Sequence, residues 1–229
     1  MKRITIIGIS GKLGQYMTEH ALARGYEVTG VCRPESVGKL ARFADKITLV
    51  PGSTTDPAVI RKATEGADGV LTVLVPWGTD RMATRMAEAV LQYAPPTARL
   101  IFSCGWHVRL DATDRYPLKE RLKTWFFGRI AKVSRLADID DQEAAARLVF
   151  ATDRDWTIVS DSDLEEGESE GLPIWSDHVG DAVLASNHTR RTDFALFMVN
   201  ALTDPVLSRR APAIVSRAAR SAREHRQAS

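Results

Sequence analysis

Near the amino terminus a short β-branched run, Ile4-Thr5-Ile6-Ile7, breaks off into Gly8-Ile9-Ser10-Gly11-Lys12-Leu13-Gly14. The run lacks the alternation of a half-exposed strand, as expected of a strand buried on both faces of a parallel sheet. Helical material follows from Gln15 to Arg24, and Gly25 stops it. Strand, glycine turn and helix in that order make the beginning of a βαβ unit.

Three glycines at spacing three and three answer a particular physical demand. The amino terminus of a helix presents unpaired N–H groups and the positive end of its dipole, so an anion rests there, provided side chains are out of the way. The anion such a turn suits is a dinucleotide pyrophosphate: Gly8 permits the tight turn, Gly11 lets backbone approach phosphate, and Gly14 lets helix pack against strand. Gly8, Ile9, Ser10, Gly11, Lys12, Leu13 and Gly14 are therefore the candidate cofactor seat, with Ser10 and Lys12 adding to the anion site. An ordinary strand-to-helix turn is the competing reading. The flanking strand and helix favour the seat.

The pattern then repeats. Tyr26–Cys32, Ile47–Val50, Gly69–Val75 and Leu100–Ser103 read as buried strands. Helical stretches separate them: one opened by Pro34-Glu35-Ser36 with Leu40 and Phe43 as apolar positions, one from the Asp56-Pro57 cap to about Glu65, and one over Gly78–Tyr93. Strict βα alternation implies a parallel sheet with right-handed crossovers. After Cys104 the pattern loosens. Arg109–Pro117 is polar; Lys119–Val133 and Asp138–Thr152 read as helices, Trp156–Val159 as a sixth strand, and Arg191–Leu202 as a helix with Phe194, Phe197, Met198 and Ala201 on one face. Ala213–Val215 has the composition of a short seventh strand. Between them, residues 161–190 form a long stretch without period, placed where a substrate lid would lie.

A chain of 229 residues with 44% hydrophobic and 26% charged residues fits one soluble domain. Residues 1–215 are taken as that domain. The tail 216–229 carries Arg217, Arg220, Arg223 and Arg226 and reads as a solvated, mobile terminus. A net charge of +2 gives no reason to expect a nucleic acid or membrane surface. Lys2 and Arg3 precede too short an apolar run for a signal peptide, and no window approaches the roughly 18 apolar residues of a membrane helix. Two cysteines, Cys32 and Cys104, make neither a disulfide framework nor a metal cluster, so a reducing cytoplasm is the expected setting, with no metal.

A dinucleotide fold reads the ribose at the end of its second strand, about 20 residues past the glycines. An acidic residue there grips the hydroxyls of NAD. Here stands Cys32-Arg33-Pro34, and the guanidinium of Arg33 suits a 2′-phosphate, which favours NADP(H) over NAD(H). The alternative is a surface arginine at a helix start.

Gly8-Ile9-Ser10-Gly11-Lys12-Leu13-Gly14, Val31-Cys32-Arg33-Pro34, Pro51-Gly52-Ser53-Thr54-Thr55-Asp56-Pro57, Gly66-Ala67-Asp68-Gly69-Val70 and Asp155-Trp156-Thr157-Ile158-Val159 resemble the atypical short-chain dehydrogenases. The likeness is to their NAD(P)H-binding group, which includes NmrA-like and flavin/biliverdin reductase-like proteins, and it runs from residue 1 to about 215. It implies a doubly wound Rossmann sheet in the order 3-2-1-4-5-6 with NADP(H) across the strand carboxyl ends. It further implies adenine contacts at Ser53 and Thr54, and Val75 and Pro76 lining the ribose and nicotinamide side, with Ser103 and Cys104 nearby. Arg191-Thr192-Asp193-Phe194-Ala195 is similar to the family's late helix-opening motif. The chain departs from the family at Ser53, where an acidic residue is usual, and at Ser160-Asp161, where Arg-Pro is usual.

For proton transfer, the main short-chain dehydrogenase branch pairs a Tyr with a Lys four residues later. Tyr116 lies at a suitable distance after Ser103, but Glu120 holds the partner position and Lys119 is one helical step away. Tyr116 and His107 are therefore weak catalytic candidates, each with the alternative of a loop residue without duty; the same holds for His178. Trp77 and Trp106 offer either a flat wall for an aromatic acceptor or packing at the sheet rim. The resulting expectation is an NADP(H)-binding oxidoreductase passing hydride to a small organic acceptor such as a flavin, quinone or carbonyl compound. The alternative is a non-catalytic NmrA-like NADP sensor acting through a protein partner.

Overall fold

The computed structural model describes residues 2–74, 80–105, 139–161 and 163–228. Val75, Pro76, Trp77, Trp106, His107, Tyr116, Lys119, Glu120 and the helix expected over 119–133 lie outside the described residues.

Five buried β-branched and aromatic runs build the centre of the sheet: β1 (Arg3–Ile7), β2 (Glu27–Cys32), β4 (Gly69–Val73), β5 (Arg99–Gly105) and β6 (Trp156–Asp161), with β3 (Ile47–Pro51) outside β2. Each pairs in parallel with its neighbour, in the order 3-2-1-4-5-6. The fold is the doubly wound Rossmann sheet that the family resemblance implies, parallel as the βα alternation requires. The expected seventh strand is present as β10 (Ala213–Val215), parallel to β6, and β8 (Ile174–Ser176) adds an antiparallel edge beyond it.

Because successive strand residues point to opposite faces, Ile6 and Ile7, Leu71 and Val70, Ile101 and Phe102, and Val159 and Ile158 divide between two cores. One core lies under α1 (Lys12–Ala23) and α5 (Arg191–Ala201). The other lies under α2 (Pro57–Thr64), α3 (Met82–Tyr93) and α4 (Ile139–Phe150). Asp56 caps α2, its carboxylate accepting from the Ala58 N–H at 2.9 Å, with Pro57 at the first helical position. The stretch after Pro34 is a 3-10 helix, Pro34–Phe43, whose Leu40 and Phe43 are buried.

Three expectations need correction. The stretch 161–190 is not a plain loop: it holds β7 (Asp163–Glu165), β8, a 3-10 turn (Ala182–Leu184) and β9 (His188–Arg190), with β7 and β9 pairing in parallel. Strands three residues long are too short to show a period, and Arg190 of β9 ties the stretch across itself by ion pairs with Glu165 of β7 and with Glu170. Helix α5 has no single apolar face, because Thr192, Asp193, Ala195 and Val199 are buried along with Phe194, Phe197, Met198 and Ala201. It lies between the sheet, α1 and the 163–171 strap. The basic tail folds into α6 (Arg220–Ala228), with Ala219, Ser221 and Ala222 buried. Ser221 Oγ donates to the Val183 carbonyl at 2.6 Å, while Arg220, Arg223 and Arg226 stay exposed.

Among the described residues, no helix is long and apolar enough to cross a membrane, and no group of three or more His, Cys, Asp or Glu side chains could hold a metal ion.

Candidate functional site

Since β1 to β6 are parallel, their carboxyl ends share one edge of the sheet, and most of the candidate residues described gather there. The glycine turn joins β1 to α1, Arg33 follows β2, Ser53 and Thr54 follow β3, and Ser103 and Cys104 lie near the end of β5. Arg190 and Arg191 approach from the start of α5.

The glycine turn is fixed by its neighbours. Gly8 sits at φ +87°, a conformation side chains disfavour, and the N–H groups of Gly8 and Ile9 both donate to the Val31 carbonyl of β2 at 3.0 and 3.2 Å. A Cβ on Gly14 would fall 2.4 Å from the Gly8 carbonyl oxygen and 2.7 Å from Ile9 Cα, so glycine is a packing requirement there. Gly11 differs. Its φ of −70° suits any residue, and a Cβ would meet only the Gly8 oxygen, at 3.4 Å. The fold does not ask for glycine at position 11; a ligand lying close to the backbone would. Helix α1 begins just after it with no side chain capping its N–H groups and no acidic residue in its first turn, the arrangement an anion needs. These residues fit a dinucleotide pyrophosphate.

Around this turn the side chains are engaged. The Ser10 hydroxyl hydrogen-bonds the buried Cys32 thiol, whose pKa burial pushes up, so the thiol stays protonated near neutrality. Gln15 donates to the Ser10 carbonyl at 3.1 Å and accepts from Arg42 at 3.2 Å. Arg33 is exposed and pairs with Glu35 at 3.3 Å. A carboxylate therefore stands beside the guanidinium, a feature the strand-end motif does not signal because Glu35 falls just outside it, two residues after Arg33. Ser53 and Thr55 close a small hydroxyl turn, Oγ to Oγ1 at 2.9 Å, leaving Ser53 exposed and Thr54 half-buried beside it.

Lys12 points to the strap after β7. Its Nζ meets Glu166 at 3.1 Å, and the same carboxylate accepts from Arg191 Nε at 2.9 Å and the Tyr16 hydroxyl at 3.3 Å. The strap is tied further by Arg190 to Glu165 at 2.9 Å and to Glu170 at 3.2 Å. The fully buried Asp193 accepts from the Ser169 hydroxyl and, at 2.8 Å, from the Glu170 N–H. Asp193 belongs to the helix-opening motif of the sequence, and its contact explains a carboxylate inside an apolar helix: it anchors the strap to α5.

The far side of the edge is organised by the first turn of α4. Asp141 accepts from the N–H groups of Ala83 and Thr84, at 2.7 and 3.1 Å, and from the Thr84 hydroxyl, so it caps α3 from outside. Gln142, 2% exposed, accepts from the Gly105 N–H at 3.3 Å and donates to the Leu74 carbonyl. Cys104 and Ser160, both buried, meet at 3.3 Å across β5 and β6. Of these, only Cys104 was a sequence candidate; Asp141 and Gln142 carry no motif, and only the tertiary contact reveals them.

A parallel sheet in this order, with a glycine turn leading from its first strand into its first helix, defines the dinucleotide-binding Rossmann class. The chain belongs to the NAD(P)H-binding family, whose family model matches residues 8–205. Solved structures share the fold. A short-chain dehydrogenase/reductase from Veillonella parvula, in complex with NADP, aligns with TM-score 0.72 at 16% identity over 95% of this chain and 96% of that one. ChuY, an anaerobilin reductase from Escherichia coli O157:H7, aligns with TM-score 0.67 at 17% identity over 94% and 97%. The oxidoreductase ylbE from Lactococcus lactis aligns with TM-score 0.69 at 15% identity over 93% and 90%. No functionally curated protein matches the sequence.

Proposed function

We propose that the protein is an NADP(H)-dependent reductase that passes hydride to a small organic acceptor, a flavin, quinone or carbonyl compound, in the cytoplasm. The observation that carries the reading is Gly11, a glycine that neither backbone conformation nor packing requires, at the mouth of an uncapped helix. The bound nicotinamide supplies a hydride. In this reading the backbone of Gly8 to Gly14 holds the pyrophosphate, Arg33 meets the 2′-phosphate in exchange for Glu35, and Ser53 and Thr54 border the adenine. Ser103 and Cys104, buried near the end of β5, stand towards the nicotinamide half.

Family membership supports cofactor binding. Likeness of fold to an NADP complex and to an anaerobilin reductase supports the choice of NADP and of a reductase. The departure from the Tyr-Lys pair, with Glu120 at the lysine position, favours acceptors such as flavins, whose reduction forms no strongly basic alkoxide. It equally suits the second reading, an NADP sensor without turnover that acts through a protein partner. The test is calorimetric titration with NADPH and NADH, followed by NADPH oxidation against flavin, quinone and carbonyl acceptors. Turnover with one class supports the reductase, tight binding without oxidation supports the sensor, and no binding of either cofactor overturns both.

A further inference from the structure

The register of β4 and β5 runs through Val73 paired with Ser103, and in a parallel ladder the next hydrogen bond would join the Gly105 N–H to the Leu74 carbonyl. That bond is replaced. The side-chain amide of Gln142 reaches in from α4, accepting from Gly105 N–H at 3.3 Å and donating to Leu74 C=O. Both halves of one buried amide are thus used to end the pairing of two central strands, while β5 and β6 remain in register through Gly105 and Asp161. Such a group is costly to bury unless both its donor and its acceptor are met, and here they are met by the two backbone atoms at the crest.

The neighbouring residue gives the wedge a fixed base. Asp141 ties the same turn of α4 to the start of α3, so Gln142 projects from an anchored helix end. In the doubly wound fold the first three strands carry one mononucleotide half and the last three the other. The wedge lies between β4 and β5, so β4 stands between it and β1, from which the glycine turn springs.

We propose that Gln142 is a positioning residue that sets the gap between the ends of β4 and β5 to receive the nicotinamide half of the cofactor. It rests on the NADP(H) reading above. The amide acts through the Leu74 and Gly105 backbone, and its effect is confined to one half of the dinucleotide.

The test compares two ligands on Gln142→Leu and Gln142→Glu. Adenosine 2′,5′-bisphosphate probes the adenosine half alone, and NADP⁺ probes both halves. Folded variants should keep bisphosphate affinity within about twofold and lose NADP⁺ affinity by about five- to tenfold, the scale of one or two neutral hydrogen bonds. A glutamic acid mimics the amide only when protonated, so Gln142→Glu should regain NADP⁺ affinity relative to wild type as pH is lowered from about 8 to about 5.5, towards the range where a buried carboxyl takes up its proton, and Gln142→Leu should not. A merely structural role would lower thermal stability without moving the ratio of the two affinities. An unchanged ratio in both variants overturns the proposal. Failure of the wild-type protein to bind either ligand would instead overturn the cofactor reading, and this inference with it.

Discussion

Lys12 and Glu166, 154 residues apart in sequence, meet at 3.1 Å and fasten the strap after β7 to the first turn of α1. Hydrogen bonds from Arg191 and from Lys12 hold the Glu166 carboxyl below the usual carboxylate range. Its folded pKa being depressed, the pairing is complete above the ordinary glutamate value of about 4.3 and is lost as pH falls through the lower, folded value. Glu166→Ala should expose residues 165–171 to limited proteolysis at neutral pH while leaving the melting temperature nearly unchanged, since the pair is exposed. An unaltered cleavage pattern would show that the pairing with Lys12 restrains nothing. The ties of Arg190 to Glu165 and Glu170 are untouched by this substitution.

Gly14 and Gly11 should respond in opposite ways to one added methyl group. Gly14→Ala drives Cβ into the backbone of Gly8 and Ile9 and should destabilise the fold by about 1–3 kcal/mol, the usual scale of overpacking. Gly11→Ala should stay within about 1 kcal/mol of wild type and yet weaken NADPH binding about tenfold or more, a loss of at least roughly 1.4 kcal/mol of binding. Denaturant unfolding and calorimetry measure the two effects; a Gly11→Ala protein with wild-type affinity would remove the case for a phosphate seat.

Arg33 and Glu35 should set the choice between NADP and NAD. Arg33→Ser removes a charge-assisted hydrogen bond, about 1.5–3 kcal/mol, and should weaken NADP binding about ten- to a hundredfold with little change for NAD. Glu35→Gln should act the other way and tighten NADP, because it frees the guanidinium from its 3.3 Å ion-pair partner and removes the carboxylate whose charge would repel the 2′-phosphate. Equal changes for both cofactors would mean that neither residue reads the phosphate.

Asp141 caps α3 across 58 residues, and its loss should be felt in the stability of the fold. Asp141→Ala leaves two buried N–H groups without their acceptor and should cost about 1–3 kcal/mol, lowering the melting temperature by about 2–4 °C for each kcal/mol. Asp141→Asn, which keeps one acceptor oxygen, should lie between. Scanning calorimetry decides, and equal stability of all three proteins would contradict the capping role.

His20 should make the α1–α5 contact sensitive to mild acid. Its Nε2 lies 2.9 Å from the Thr192 carbonyl, and burial holds its pKa below the ordinary histidine value of 6.5. The unfolded chain therefore takes up a proton that the folded one resists. This contribution is whole above about pH 6.5 and declines as pH falls from there to the lower, folded value. His20→Gln should flatten the fall in stability between about pH 7 and about pH 5, the range histidine titrates in; a slope equal to that of wild type would assign the effect elsewhere.

What can be read in the chain follows from how local the signals are. Ile4 to Gly14 declares itself because strand, turn and helix are adjacent and each follows a short-range rule. Six parallel strands and the Asp56-Pro57 cap are legible for the same reason. Residues 163–190 are not, because their short strands are held by Arg190 at the end of β9 and by Arg191 and Asp193 reaching back from the helix that follows, and a period cannot emerge from three residues. Glu35 looks like any acidic residue in the first turn of a helix until its carboxylate is found against Arg33. Glu166, Asp141 and Gln142 act through partners far away in sequence, where side-chain type alone says nothing of the contact.

The two hydrogen bonds from Gly8 and Ile9 to the Val31 carbonyl mean that the glycine turn takes its shape from the end of β2, before any ligand arrives. Ordering a backbone residue costs roughly 1–2 kcal/mol, and for this turn that cost is met during folding. On the proposed reading, an anion docking at α1 would therefore meet N–H groups already aimed, and the strength of its contacts would appear as affinity instead of being consumed in shaping the loop.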